Sequence, residues 1–157
     1  QVSLNLSFKD ILDLDFVISL DKNLDKIDNQ KKQQLVFEIL ESDYITDYTL
    51  LEEFIIKYRE QGIQIAIDDF GTGYSNFAHI LKIRPNYIKI DGSLIKNINT
   101  EKSSYELVKS IIDFSKALNI KVIAEFVHSS DVYKTVLELG VDEFQGFYLA
   151  EPANKIE

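Results

Sequence analysis

Short apolar runs alternate along this chain with longer segments in which apolar residues recur every three or four positions. The short runs are rich in Ile and Val, which is typical of buried strands, and the wider spacing is typical of amphipathic helices. Six runs are predicted as strands: Val2–Leu6, Leu35–Leu40, Ile63–Asp69, Tyr87–Asp91, Lys121–Glu125 and Glu143–Tyr148.

The segments between the predicted strands carry helix signals. Helices are predicted in the later part of Phe8–Leu20 and over Tyr44–Gln61, Phe77–Ile83, Tyr105–Leu118 and Ser130–Leu139. Ser129 suits a helix start, and Gly62 and Gly140 suit helix ends. The polar segment Asp21–Gln34 is compatible with a short helix or with a loop.

Strand and helix segments alternate six times, which implies a parallel sheet covered by helices. The two candidate folds are a TIM-like (β/α) barrel and an open doubly wound sheet. A barrel takes about 250 residues, and this chain has 157 residues without an initiator methionine. We therefore predict one α/β domain over residues 1–157 that lacks about the first two barrel strands and begins inside a larger protein. An open six-stranded sheet is the alternative.

Each predicted strand has a polar residue near its carboxyl end. These residues are Asn5, Glu38, Asp68, Asp69, Lys89, Asp91, Glu125 and Gln145. Singly, each has a plain explanation, such as a turn residue, an ion pair at a rim or a lysine that extends into water. Together they predict a ring at one mouth of a barrel, where barrel enzymes place their chemistry. An open sheet would spread them along an edge.

Two adjacent carboxylates end the third predicted strand. Strand alternation would point one of Asp68 and Asp69 inward and the other outward, although both could reach one ion at the strand end. Their repulsion and lost hydration favour a divalent cation such as Mg²⁺, Mn²⁺ or Ca²⁺. Gly71 and Gly73 then permit positive φ angles. The alternative is a polar turn at a strand end.

Composition narrows the classes of function. The chain is 45% hydrophobic with a net charge of −9, no cysteine and two histidines. It therefore has enough apolar residues for a core, it lacks the cysteines for disulfides or thiolate sites, and its two histidines disfavour a zinc-type cluster. The negative charge disfavours duplex nucleic acid as a partner. A small anionic ligand remains compatible, because a bound cation reverses the local charge.

Six motifs in order resemble the EAL domain of bacterial cyclic di-GMP phosphodiesterases, and the resemblance covers essentially the whole chain. The motifs are NLS at Asn5–Ser7, FEILES at Phe37–Ser42, DDFGTGYS at Asp68–Ser75, YIKID at Tyr87–Asp91, VIAE at Val122–Glu125 and QGFYLAEP at Gln145–Pro152. The resemblance implies a TIM-like barrel that hydrolyses cyclic di-GMP to linear pGpG with two Mg²⁺ or Mn²⁺ ions.

The resemblance also implies roles for individual residues. Five would be metal ligands: Asn5, Glu38, Asp68, Asp69 and Glu125. Lys89 would hold or polarise the attacking water, and Glu125 is also the family's suggested general base. Glu41 would stabilise the loop after Asp69, and Gln145 would line the substrate pocket. A homodimer, a cytoplasmic location and an upstream sensor or GGDEF-type domain are further expectations, and the intact protein could be membrane-anchored through an upstream region.

The chain departs from the family in two places. The Glu-Ala-Leu motif is absent, since it belongs to a strand upstream of Asn5, so this fragment alone could be inactive. Phe126 and His128 stand where the family usually has Gly and Glu. Two alternatives to an active phosphodiesterase follow: a degenerate domain that binds cyclic di-GMP without cleaving it, and a protein-interaction module that binds no nucleotide.

Overall fold

The computed structural model describes residues 1–40, 48–71 and 77–152 of the 157-residue chain. The strands are β1 (Val2–Leu6), β2 (Leu35–Leu40), β3 (Gln64–Phe70), β4 (Tyr87–Ile90), β5 (Lys121–Ala124) and β6 (Glu143–Phe144). They follow one another in the sheet in chain order. The ladders β1–β2, β2–β3, β4–β5 and β5–β6 are parallel. The predicted α/β class with a parallel sheet is therefore confirmed.

Helices occupy the connections between the strands. They are α1 (Phe8–Leu12), α2 (Leu14–Leu24), α3 (Asn29–Lys32), α4 (Tyr48–Arg59), α5 (Phe77–Ile83), α6 (Gly92–Lys96), α7 (Lys102–Ala117) and α8 (Ser130–Leu139). The predictions of α5 and α8 are confirmed to the residue. In the part of the chain that the structure describes, every helix is too short or too polar to cross a membrane.

Local capping explains where the observed elements differ from the predicted ones. The apolar segment after β1 is divided at Asp13, whose carboxylate accepts from the backbone N–H groups of Asp15 and Phe16 and so begins α2. The Asp91 carboxylate accepts from Ser93 N at 2.7 Å and begins α6, which the apolar pattern did not predict. Such Asp caps satisfy N–H groups that a helix leaves unpaired.

The sixth strand is shorter than predicted, because it ends at Phe144 rather than at Tyr148. Gly146 has a φ of +156°, and a Cβ atom there would collide with the backbone of Val127. The chain passes too close to that backbone for any other residue, so the predicted extended run is interrupted at this glycine.

The described residues form two compact units. The first comprises residues 1–40, 48–68 and 77–86, and the second comprises residues 69–71 and 87–152. The boundary divides β3 between Asp68 and Asp69. The first unit has an aromatic core in which Phe37 of β2 packs edge-on against Tyr58 of α4, with ring centroids 5.2 Å apart. In the second unit, Val108, Ile111 and Ile112 of α7 are fully buried.

Candidate functional site

Three predicted site residues project from one face of the sheet in the first unit. Asn5 lies opposite Glu38 in the β1–β2 ladder, and Glu38 lies opposite Ala66 in the β2–β3 ladder. Asp68 is two residues beyond Ala66, so the alternation of strand side chains brings it to the same face. The register therefore gathers one amide and two carboxylates on neighbouring strands.

Burial separates these three side chains. Asn5 is exposed, Asp68 is half-buried, and Glu38 is buried with only 9% of its surface exposed. A carboxylate removed from water costs free energy unless a donor or a cation compensates it. The burial of Glu38 in the middle of a strand argues against a solvent-exposed ion pair at a rim.

In the second unit, Lys89 and Glu125 form a shielded ion pair. Lys89 lies opposite Ile123 in the β4–β5 ladder, and Glu125 is two residues beyond Ile123 on the same face. The Lys89 Nζ to Glu125 Oε1 distance is 2.9 Å, and the two side chains are 7% and 18% exposed. Lys89 therefore does not extend into water, and its ammonium compensates the charge of a carboxylate predicted as a metal ligand.

The backbone at Asp69 leaves the strand conformation. Its φ is +55°, a left-handed value that Asp tolerates better than most residues. The expected alternation, with Asp69 facing the opposite way from its neighbour, therefore fails at this residue. A carboxylate oxygen of Asp69 and one of Glu125 instead lie within 4.8 Å of each other. Asp69, Glu125 and Lys89 are thus brought together in the second unit.

Phe126 is another non-glycine residue with a left-handed backbone, and its φ is +53°. For a bulky aromatic residue this conformation is a genuine outlier. The aromatic ring and the ring of His128 have centroids 5.4 Å apart. Sequence reasoning marked both residues as departures from the family but did not predict their contact or the backbone strain. The signal in the sequence was the replacement of a glycine directly after Glu125.

The remaining two predicted site residues are Gln145 and Glu41. Gln145 is exposed, and its backbone N–H donates to the carbonyl of Ala124 at 2.9 Å while its own carbonyl accepts from Val127. These bonds place its backbone beside the end of β5. Glu41, the predicted loop-stabilising residue, lies outside the described residues.

The donor chemistry fits a hard divalent cation. Carboxylate and amide oxygens are the ligands that Mg²⁺ and Mn²⁺ accept. A carboxylate has two oxygens with about four acceptor positions, so Glu125 can bind Lys89 through Oε1 and still offer Oε2 to an ion. The arrangement can therefore hold a cation beside a positioned ammonium, which is suited to an anionic substrate.

Comparison with known proteins identifies the type of domain. The EAL domain family model matches residues 1–152. A cyclic di-GMP phosphodiesterase of Escherichia coli, PdeF, is 34% identical over 157 residues, which is 100% of this chain and 21% of that protein. The chain therefore spans about a fifth of the length of this curated relative.

Two solved structures have the same fold. The EAL domain of Mycobacterium smegmatis DcpA has a TM-score of 0.86 at 26% identity, over 96% of this chain and 67% of that one. A manganese and cyclic di-GMP complex of Klebsiella pneumoniae BlrP1 has a TM-score of 0.81 at 29% identity, over 94% of this chain and 38% of that one. These similarities favour the TIM-like (β/α) fold over an open sheet.

Proposed function

We propose that this chain hydrolyses cyclic di-GMP to linear pGpG in bacterial second-messenger signalling, because it belongs to the EAL domain family. The observation that carries the proposal is the shielded Lys89–Glu125 pair, with a 2.9 Å contact, beside the carboxylate of Asp69. A cation-binding group next to a fixed ammonium matches the needs of a phosphodiester, which carboxylates alone would repel. The named activity of PdeF and the ligands of the BlrP1 complex support the same chemistry.

Five residues are proposed as ligands of two Mg²⁺ or Mn²⁺ ions: Asn5, Glu38, Asp68, Asp69 and Glu125. The face shared by Asn5, Glu38 and Asp68 supports the first part of this set, and the proximity of Asp69 to Glu125 supports the second. When bound, such a pair of ions lowers the pKa of a water and stabilises the attacking and leaving oxygens of an in-line displacement.

The chain's own residues would orient and move protons. Lys89 is held in a fixed position by Glu125, so its Nζ can donate a hydrogen bond to the attacking water or to a phosphoryl oxygen. Glu125 is also proposed to accept the proton of that water, since its carboxylate has acceptor positions beyond those that bind Lys89 and an ion. Gln145 is proposed to contact substrate, and Glu41 to stabilise the loop that follows Asp69.

The wider setting of the domain is also a proposal. Residues 1–157 would form part of one EAL domain, acting as a homodimer in the cytoplasm. An upstream sensor or GGDEF-type domain would regulate it, in keeping with a curated relative of which the chain spans only 21%. Duplex nucleic acid is not proposed as a partner, since the net charge is −9.

One observation favours a second candidate function. The strained Phe126 directly follows Glu125, where the family usually has glycine. A bulky side chain at this position could hold cyclic di-GMP in a geometry that does not react. The alternative is therefore a receptor that binds the nucleotide without cleaving it.

The test is incubation of the full natural protein with cyclic di-GMP and Mn²⁺ or Mg²⁺, with separation of the products by chromatography. We expect pGpG to accumulate, and we expect excess EDTA to stop the reaction. Binding of cyclic di-GMP by calorimetry without pGpG would establish the receptor function instead. If the protein neither bound nor hydrolysed cyclic di-GMP, both the phosphodiesterase and the receptor function would be contradicted.

A further inference from the structure

Phe126 is an exposed residue in a backbone conformation for which stability alone would favour glycine. Its φ is +53°, a conformation that glycine adopts freely and a Phe side chain strains to adopt. The side chain is nevertheless 48% exposed, so it gains little from burial. Strained conformations persist mainly where they serve a ligand or a mechanism. The strain at Phe126 therefore calls for a functional explanation.

The side chain of Phe126 lies against Gly92 and beside the His128 ring. A Cβ atom at Gly92, the first residue of α6, would lie only 2.7 Å from Phe126 Cβ and 3.4 Å from its Cγ. Phe126 can occupy its place only because residue 92 has no side chain. On another side, the His128 ring lies 5.4 Å away between centroids, and His128 Nδ1 is 3.2 Å from the Phe126 carbonyl oxygen.

Gly92 and Phe126 lie at the carboxyl ends of β4 and β5. Gly92 comes two residues after the end of β4, and Phe126 comes two residues after the end of β5. Glu125, between β5 and Phe126, is the residue that binds Lys89 at 2.9 Å. A half-exposed aromatic residue therefore follows directly, along the chain, the Glu125 that binds Lys89, whose ammonium suits a phosphodiester. A ligand with a phosphodiester and a planar base would satisfy both.

We infer that Phe126 is a substrate-binding residue that stacks against one purine base of the cyclic dinucleotide, with Gly92 leaving room for its side chain and the His128 ring lying beside it. The inference rests on the proposed function, and it adds a contact to the base rather than to the phosphodiester. Stacking of a base on an aromatic side chain contributes to binding whatever the chemistry at the phosphate.

The first test compares Phe126→Gly, Phe126→Leu and Phe126→Tyr in the full natural protein with cyclic di-GMP and Mn²⁺. Glycine suits the backbone conformation, so Phe126→Gly is expected to fold and to unfold at an equal or higher temperature. Loss of stacking should raise KM about tenfold in the Gly and Leu variants, with kcat little changed. Phe126→Tyr keeps an aromatic face and should keep the parent's KM.

The second test changes Gly92, the residue against which Phe126 lies. Gly92→Ala would displace Phe126 and should raise KM in the parent, yet it should have no further effect in the Phe126→Gly background, because the steric partner is gone. Such non-additivity reports a direct coupling of the two positions. Leu137→Ala on α8 is the matched control, since Leu137 is 49% exposed and should leave KM unchanged.

Several outcomes would overturn the inference while the proposed function stands. An active parent whose KM is unchanged or lowered in Phe126→Gly would show that the ring does not hold the base. A fall in kcat at constant KM, or a KM raised equally by Phe126→Tyr, would likewise exclude stacking. A parent that neither cleaves nor binds cyclic di-GMP would contradict the proposed function, and this inference with it.

Discussion

Two shielded polar contacts in this protein serve different ends. In the first unit, Tyr58 of α4 has no exposed surface, and its hydroxyl donates to Asp21 of α2 at 2.9 Å. In the second unit, Lys89 and Glu125 meet at 2.9 Å with 7% and 18% of their side chains exposed. The first contact satisfies one neutral hydroxyl, whereas the second keeps two full charges away from water.

The difference lies in what each contact costs. Burial and the nearby Asp21 carboxylate raise the pKa of Tyr58, so its hydroxyl stays neutral, and a single acceptor is enough for it. A shielded ion pair is often no more stable than apolar residues of the same volume. Lys89 and Glu125 are therefore poorly explained by stability, which agrees with the function proposed for them, whereas Tyr58 belongs to the core.

The largest expected effect comes from removing one carboxylate charge at the proposed metal site. Asp68→Asn should lower the rate of pGpG formation by more than about 100-fold. Loss of a group that only orients a metal ligand lowers metal affinity or activity by about 10- to 100-fold, and loss of a charged ligand should lower it at least as much. Steady-state rates with Mn²⁺ and the circular dichroism spectrum would show lost turnover in a folded protein. Asp113→Asn is the control, since Asp113 is 62% exposed on α7. Equal rates for Asp68→Asn and the parent would remove Asp68 from the site.

Lys89→Met should reduce both activity and stability. It leaves Glu125 shielded without its ammonium, which we expect to lower the free energy of unfolding by about 2 kcal/mol and the rate by about 100-fold. Mn²⁺ should restore part of the lost stability, because an ion that binds the folded state stabilises it by mass action. Denaturant unfolding with and without Mn²⁺ would measure both effects.

The matched control for Lys89→Met is Lys109→Met. The Lys109–Asp113 pair has a similar distance, 3.1 Å, but its side chains are 50% and 62% exposed. Its loss should change the free energy of unfolding by less than about 0.5 kcal/mol. If the two variants lost the same stability, shielding would not distinguish the pairs, and our comparison would fail.

Tyr58→Phe should lower stability without lowering activity. It removes the hydrogen bond to Asp21 and should cost about 1 kcal/mol in the free energy of unfolding, measured by urea titration. The rate of pGpG formation per folded molecule should stay at the parent value. Tyr133→Phe on α8 is the control, where the recorded ring contacts with Phe144 and Tyr148 persist. A selective loss of kcat in Tyr58→Phe would contradict its assignment to the core.

The last effect, similar in size to that of Tyr58→Phe, is expected at the start of α1. Ser7 Oγ lies 2.6 Å from Asp10 Oδ2, and these hydrogen bonds lower the pKa of Asp10 below its usual 3.8. Because the folded-state pKa is the lower one, the carboxylate stabilises the fold above pH 3.8 and loses that contribution as the pH falls through its folded pKa. Ser7→Ala should cost about 1 kcal/mol at pH 7.

The pH dependence supplies the check on this cap. Urea titrations of Ser7→Ala and the parent should differ at pH 7 and converge as the pH falls below 3.8 and through the folded pKa of Asp10, where its carboxylate becomes protonated. A difference between the two proteins that stays constant over this range would show that the Ser7–Asp10 bonds contribute nothing to it.

The sequence predicted most of the elements that hold the candidate site. The bounds of β1, β2, α5 and α8 agree with the structure to the residue, because apolar periodicity, Pro85, Ser129 and Gly140 are local signals. Elements that depend on a single cap or a close contact, such as α6 and the end of β6, escaped prediction. The apolar pattern does not show that Asp91 caps a helix, or that the backbone of Val127 leaves no room for a side chain at residue 146.

The polar residues at strand ends and the family of their motifs can be recognised in the chain alone, since residue spacing and identity need no structure. How those residues meet depends on the folded molecule. The left-handed backbone at Asp69 and Phe126 and the pairing of Lys89 with Glu125 depend on neighbours distant in sequence. The physical reason is that the sign of φ at a non-glycine residue, and the partner of a shielded charge, are fixed by packing rather than by periodicity.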